Sequence, residues 1–197
     1  MWAPASWLRS LTLAALVVAL AGVLGGCGGD GSGSRHPATN GPLSSAGSLH
    51  GPIPRGAECA PGGRPVAFGF QQFTNYGDTT VTLDRVVLLR PHNERLIGSD
   101  AVPGAVLVGE VYWPPKYPGT PAGPGVPDAW KHRQPVRNYR LAPGKTINMV
   151  LGVAAITPAR ATSQGMLLYY HDSSGNFVAK NFWANNLAAA SRKNGCA

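Results

Sequence analysis

The sequence predicts an all-β fold, an antiparallel sandwich of about seven or eight short strands that follows a disordered tether. Helical periodicity is weak throughout. The 26 glycines and 18 prolines interrupt the chain at short intervals, as turns between strands do. Several segments alternate apolar and polar residues, and strands do not alternate with helices, which argues against a parallel sheet. This number and spacing of strands is typical of an immunoglobulin-like sandwich.

The first strands of the predicted domain differ in regularity. Residues 64–73 carry apolar side chains at every second position, which predicts a strand with one buried face. Residues 79–89 also alternate, but the phase changes at Asp84, and this slip predicts a β-bulge. Residues 105–113 are predicted as a further strand.

The carboxyl-terminal half contains the longest alternation. Residues 146–156 predict a strand, with Met149 on its apolar face in a core-packing role. Residues 166–171 and 177–183 predict a hairpin with a five-residue connection that contains glycine. The alanine-rich stretch 185–192 predicts one short helical turn.

Residues 114–135 break all periodicity with seven prolines, so they are predicted to be neither a central strand nor a helix. Aromatic and cationic side chains are concentrated in and around this stretch, and binding surfaces use that combination. The candidate binding residues are Trp113, Tyr117, Trp130, Lys131, Arg133 and Arg137. The alternative is a structural cap, with the two tryptophans in the core and the cations solvated.

The amino terminus has the parts of an export signal: one cation, Arg9, then an apolar run over residues 11–24, which is too short to span a bilayer. The motif Leu24-Gly25-Gly26-Cys27 resembles the lipobox of bacterial lipoproteins. The resemblance implies a signal peptide at 1–26 and a lipid, a diacylglyceryl thioether with palmitate-type chains, on Cys27. The mature protein would then lie on the outer face of the bacterial cell membrane. The alternatives are an uncleaved anchor or a secreted chain with an incidental cysteine.

Residues 27–55 are rich in Gly, Ser and Pro and are predicted to form a flexible tether to a domain at 56–197. The chain carries 17 Lys and Arg against 9 Asp and Glu, a formal net charge of +8. This balance favours anionic lipid headgroups, an acidic envelope polymer or an envelope protein as partners. Nucleic acid is not expected, because the chain is exported and has no unbroken basic run.

Two cysteines remain after Cys27, namely Cys59 and Cys196. An even pair in an oxidising compartment predicts a disulfide that joins the two ends of the domain. Two free thiols or a metal pair are the alternatives, although no Cys-x-x-Cys motif or neighbouring histidine supports a metal.

No catalytic residue is predicted. The chain has no Gly-x-Ser-x-Gly or His-Glu-x-x-His motif, and the run His171-Asp172-Ser173-Ser174 is interpreted as a polar turn. No paired methionines or His-x-x-Met spacing indicates a soft metal site, so neither a metal nor a cofactor is expected.

An Asn75-x-Gly77 turn, the run Leu141-Ala142-Pro143-Gly144-Lys145-Thr146 and a Tyr-rich terminal hairpin resemble small immunoglobulin-like bacterial lipoproteins and copper-chaperone-like sandwiches. The expected function is non-enzymatic binding or scaffolding at the membrane. The alternative is a metal- or small-ligand-binding lipoprotein that delivers its ligand to a membrane partner.

Overall fold

Two β-sheets packed face to face form the folded part of the chain, so the predicted all-β immunoglobulin-like sandwich is confirmed. The computed structural model describes residues 38–45, 55–115 and 125–190. Each sheet has six strands within these residues. Seven of the twelve strands are six or more residues long, and five strands of two to four residues bring the number above the predicted seven or eight. The predicted signal peptide, Cys27, Tyr117 and Cys196 lie outside the described residues.

The first sheet is antiparallel throughout. In spatial order it consists of β1 (Leu43–Ser44), β3 (Val66–Asn75), β9 (Thr146–Ala155), β5 (Glu94–Pro103) and β7 (Gln134–Pro135), and β6 (Gly109–Tyr112) also pairs with β3.

The second sheet is antiparallel except for one pair of strands. Its order is β10 (Ala161–Ser163), β12 (Gly175–Leu187), β11 (Met166–Asp172), β4 (Val81–Leu88) and β8 (Arg140–Leu141), and β2 (Arg55–Ala60) pairs with β12. The β2–β12 pair is parallel, which the sequence did not indicate.

A hydrophobic core lies between the sheets, and a smaller one lies outside the first sheet. The larger core includes side chains of both sheets, such as Phe68, Leu83, Met149, Leu168 and Leu187. The smaller core covers the outer face of the first sheet and consists of Ala67, Val102, Val108, Val126, Trp130 and Val150. Both faces of β9 and of the first half of β3 are therefore buried. The prediction of one buried face for β3 is wrong there, because a loop covers the other face.

The bulge predicted in β4 is confirmed at Asp84. Tyr169 of β11 pairs with Arg85, and Tyr170 pairs with Leu83, so Asp84 has no partner across the ladder. The extra residue restores the phase, and Leu83 and Val86 both face the core.

The proline-rich stretch contains a short helix, α1 (Val126–Lys131), so the prediction of no helix there is wrong. Pro127 stands in the first turn of α1, where a missing N–H removes no helical hydrogen bond. Gly125 precedes the helix with a φ of 77°, which glycine adopts without strain. Pro135 lies in β7 at the edge of the sheet, as expected for proline.

Three other predicted boundaries are wrong. The strand predicted at 105–113 is limited to Gly109–Tyr112. The β11–β12 hairpin closes through a two-residue turn, because Asp172 pairs with Gly175. The predicted helical turn is absent from residues 185–190, because β12 continues to Leu187, where Asn185 and Asn186 pair with both β2 and β10.

Part of the predicted tether is held on the domain. Ala38 bridges to Phe177, and Leu43 and Ser44 form β1 against the end of β3. Leu43 is buried, and its backbone N–H donates to the Tyr170 hydroxyl at 3.2 Å. The tether prediction is therefore wrong for residues 38–45, because one apolar side chain and backbone pairing suffice to anchor a polar stretch.

No helix within the described ranges is long and apolar enough to cross a membrane.

Candidate functional site

Trp130, a predicted binding residue, lies in the smaller core. Its side chain is only 4% exposed and packs with Val102, Val108 and Val150 on the outer face of the first sheet. α1 is thus held to the sheet by its own apolar side, formed by Val126 and Trp130. Trp130 acts as a structural anchor, as in the cap alternative.

Trp113 lies flat across the outer face of the same sheet. Its indole ring covers Gly98 of β5 and Gly152 of β9, and a Cβ at either position would overlap the ring. Gly98 and Gly152 pair across the β5–β9 ladder, and because neither has a Cβ, the indole can lie directly on the backbone there. The side chain is half-buried, and the Trp113–Pro114 peptide bond is cis.

The cations of the predicted loop remain at the surface. The Arg133 guanidinium lies 4.5 Å from the centre of the Trp130 ring, and its Nε is 3.8 Å from the Asp100 carboxylate. Burial raises the pKa of Asp100, and Arg133 offsets part of that rise. Lys131 pairs with Asp128 at 2.8 Å in full exposure, and Arg137 is exposed. Two of these three cations are thus already near acids.

A groove of about 340 Å³ opens beside this cap, where β3 begins and β9 ends. Its walls are residues 63–65, Arg95, residues 154–158 and Ala190. Arg64 and Arg95 are both exposed, and no Asp or Glu lines the groove. Among the described residues, neither arginine takes part in an ion pair. The groove is therefore a basic concavity without a carboxylate of its own.

Aromatic and apolar groups border these cations. The Arg64 guanidinium lies 3.1 Å from the centre of the Tyr112 ring, a cation–π contact that holds the cation in place. Tyr112 and Ile156 are 47% and 63% exposed, the latter on the groove wall. An amphipathic ligand would therefore meet charge and apolar surface together.

Strand pairing positions the groove. Val66 of β3 pairs with both Tyr112 and Val153, and Arg95 pairs with Ala154. These registers place the start of β3 and the chain near Arg95 beside the same end of β9.

Asn93 holds the far wall of the groove. Its Oδ1 accepts from the Thr157 N–H at 2.9 Å, and its Nδ2 donates to the Ala159 carbonyl at 3.0 Å. Asn93 has a φ of 52°, which asparagine tolerates better than most residues. One side chain thus fixes the turn that follows β9.

Buried polar side chains from the two sheets contact one another inside the sandwich. The Asn185 amide donates to the Ser163 hydroxyl at 3.3 Å and accepts from Gln71 at 3.4 Å. Glu94 is 4% exposed, and neither of its carboxyl oxygens makes a hydrogen bond of ordinary geometry. Burial raises the pKa of Glu94 to about 7, and the nearby Ser163 side chain offsets part of the rise. Burial of Glu94 without such a bond therefore disfavours the charged form of this carboxyl.

The residues of the His171-Asp172-Ser173-Ser174 turn do not converge. His171 Nδ1 lies 2.9 Å from Asp84 across the sheet. Asp172 instead accepts from the Ser174 hydroxyl at 2.6 Å and from backbone N–H groups of the turn. Desolvation raises the pKa of Asp172, but these hydrogen bonds outweigh it and the pKa is lowered. The run forms a polar turn, as the sequence indicates.

The two methionines among the described residues lie in the hydrophobic core between the sheets. Met149 and Met166 are fully buried in the larger core, which confirms core packing for Met149. Within the described ranges, no three His, Cys, Asp or Glu side chains could hold one metal ion.

Sequence reasoning missed Arg64 and Arg95 because the local sequence gives no sign of a binding site at Arg95 and only a weak one at Arg64. They are 31 positions apart in the sequence, and only the β3–β9–β5 pairing brings them to one end of the sheet. The weak signal at Arg64 is its place directly after Gly62-Gly63, at the start of the predicted strand 64–73.

Comparison with known proteins yields one structural similarity. No protein-family model matches the chain, and no curated protein sequence matches it. Among solved structures, the chain is similar to the ASH / PapD-like domain of human CEP192 (PapD-like domain 7). The two are 9% identical with a TM-score of 0.37, and the alignment covers 81% of this chain and 92% of that one.

Proposed function

We propose that this chain is a lipid-anchored extracytoplasmic lipoprotein whose sandwich domain binds an anionic ligand without chemical turnover. The lipobox-like motif at Cys27 supports the anchor. The observation that carries the binding function is the groove of about 340 Å³ with two arginines and no carboxylate in its walls.

The chemistry of the groove favours carboxylate or phosphate groups. Guanidinium groups bind such anions through two parallel N–H···O bonds, and these charge-assisted bonds are stronger than neutral ones. The Tyr112 contact limits the freedom of Arg64 before binding, which reduces the entropy lost on binding. The binding surface proposed from the sequence is thereby moved from Trp130 to Arg64, Arg95 and Tyr112.

Calorimetric titration of the full chain with pentaglutamate tests the binding function. We expect Arg64→Ala with Arg95→Ala to abolish binding at this groove, seen as the loss of one pentaglutamate site from the titration. The matched control is Arg85→Ala with Lys180→Ala, which removes the same charge from exposed positions of the second sheet and should retain binding. Equal affinity in the two double variants would refute the groove as the ligand site.

Replacement of both groove arginines by lysine separates geometry from charge. Lysine retains the positive charge but cannot form the two parallel bonds of a guanidinium. We expect intermediate affinity, and wild-type affinity would show that charge alone suffices.

The anchor is tested separately. Mass spectrometry of the chain isolated from membranes of a bacterial host should show loss of residues 1–26 and a diacylglyceryl adduct on Cys27. Cys27→Ser should release the domain from the membrane fraction. A wild-type mass without the diacylglyceryl adduct would refute the lipid anchor.

A further inference from the structure

A second basic groove lies at the opposite end of β9. It has a volume of about 430 Å³ and is bounded by residues 103–105, 139–142 and 144–146. Arg140 and Lys145 line it, both are exposed, and no Asp or Glu contributes to its walls. Among the described residues, neither cation takes part in an ion pair. This groove thus has the same chemical character as the Arg64–Arg95 groove.

The length of β9 sets the distance between the two grooves. Thr146 lines one groove and Ala154 lines the other, and a strand rises ~3.3 Å per residue, so about 26 Å separates these two positions. β9 is the central strand of the first sheet and pairs along its length with β3 and β5. The spacing is therefore held by a rigid element.

We propose that the two grooves together bind one extended acidic polymer, a flexible chain of closely spaced carboxylate or phosphate groups. The inference rests on the proposed function and specifies the class of its ligand. Occupation of one groove makes binding at the other intramolecular, and this gain is largest when the root-mean-square length of the ligand matches the span.

Polyglutamate of defined length tests whether one ligand can span the distance between the two grooves. A pentamer extends at most about 18 Å and cannot reach from one groove to the other. A flexible 20-residue chain has a root-mean-square length of about 25 Å, close to the span, and self-repulsion of its charges extends it further. The 20-mer, but not the pentamer, can therefore occupy both grooves.

The test compares the affinities of the full chain for the 20-mer and for the pentamer. We expect the 20-mer to bind at least about tenfold more tightly, since joining two sites raises affinity by roughly 10²–10⁴ in favourable cases. Arg140→Ala with Lys145→Ala should remove this advantage while pentaglutamate binding at the Arg64–Arg95 groove remains. Arg85→Ala with Lys180→Ala is the matched control and should keep the advantage, which excludes a simple effect of net charge.

Each outcome separates the two proposals. Pentaglutamate binding that depends on Arg64 and Arg95 supports the proposed function. In that case the two-groove inference is overturned by either of two results: the 20-mer binds no more tightly than the pentamer, or its higher affinity survives Arg140→Ala with Lys145→Ala. If pentaglutamate binding is indifferent to Arg64 and Arg95, both fail. A parallel titration with short and long polyphosphate distinguishes phosphate from carboxylate chains. A length advantage that requires both grooves, with either polymer, supports the inference.

Discussion

Replacement of Glu94 by glutamine should stabilise the domain at alkaline pH. Glu94 is 4% exposed at the start of β5, and its carboxyl oxygens lack hydrogen bonds of ordinary geometry. Burial without a compensating cation disfavours the charged form, which raises the pKa from 4.5 to about 7. Glutamine has nearly the same shape and does not ionise.

The size of the effect follows from the two pKa values. Below about pH 4.5 the carboxyl is protonated in both the folded and the unfolded chain, and stability does not depend on its ionisation. As pH rises, the unfolded chain loses the proton first, so the wild type loses stability through pH 7. Each pKa unit corresponds to about 1.4 kcal/mol, so ionisation of Glu94 costs about 3 kcal/mol above pH 7. Glu94→Gln avoids this cost.

Urea denaturation at pH 4.5, 6 and 8 measures the difference. The free energy of unfolding of Glu94→Gln minus that of the wild type should rise by about 3 kcal/mol from pH 4.5 to pH 8. Glu58→Gln, at a partly exposed position of β2, is the matched control for loss of one carboxyl. A rise below about 1 kcal/mol for Glu94→Gln would show that the folded chain hydrates or pairs this carboxylate.

Three further substitutions test the cap and the chain ends. Gly152→Ala should lower the melting temperature, since its Cβ would overlap the Trp113 indole, and Gly152→Ala with Trp113→Ala should lose less than the sum of the single variants. Trp130→Ala should cost about 3–5 kcal/mol in urea denaturation, and a cost below 1 kcal/mol would show that the cap does not need its anchor. Cys59→Ser should lower the free energy of unfolding by up to about 5 kcal/mol under oxidising conditions and should leave it unchanged after reduction. If Cys59→Ser and the wild type were equally stable under oxidising conditions, the predicted Cys59–Cys196 disulfide would be excluded.

The disulfide prediction is sterically reasonable for the described part of the chain. The Ala188 N–H donates to the Ala60 carbonyl at 2.9 Å, next to Cys59. Eight positions separate Ala188 from Cys196, a reach of up to about 28 Å. The pairing itself stays a prediction, because Cys196 lies outside the described residues.

Strands and the bulge were predictable because their signals are local. Alternation in β4 and β9 is a period-2 property of consecutive residues, and the phase change at Asp84 marks the bulge directly. The β11–β12 hairpin was also predictable, although the tightness of its turn was not. Asp172, whose carboxylate accepts from two backbone N–H groups of the turn, supplies the contacts that close it.

The helix α1 and the role of its tryptophan were not predictable. A six-residue helix is too short to show the hydrophobic periodicity of a helix in its sequence. Pro127 indicates the end of a helix unless its position in the first turn is known. Whether Trp130 faces solvent or a core depends on the outer face of the first sheet, where Val102 and Val150 form an apolar surface. The two valines belong to β5 and β9, which are far apart in the sequence.

By itself, the sequence determined the β class, the positions of most strands and the basic charge balance, because these depend on composition and on neighbours along the chain. Tertiary structure alone decided that the proline-rich stretch caps a sheet and that residues 38–45 join it. It also decided that Arg64 and Arg95 line a groove at one end of β9 while Arg140 and Lys145 line a groove at the other end. The reason is physical: the charge of a residue is intrinsic, whereas its neighbours across a sheet depend on strand order and register.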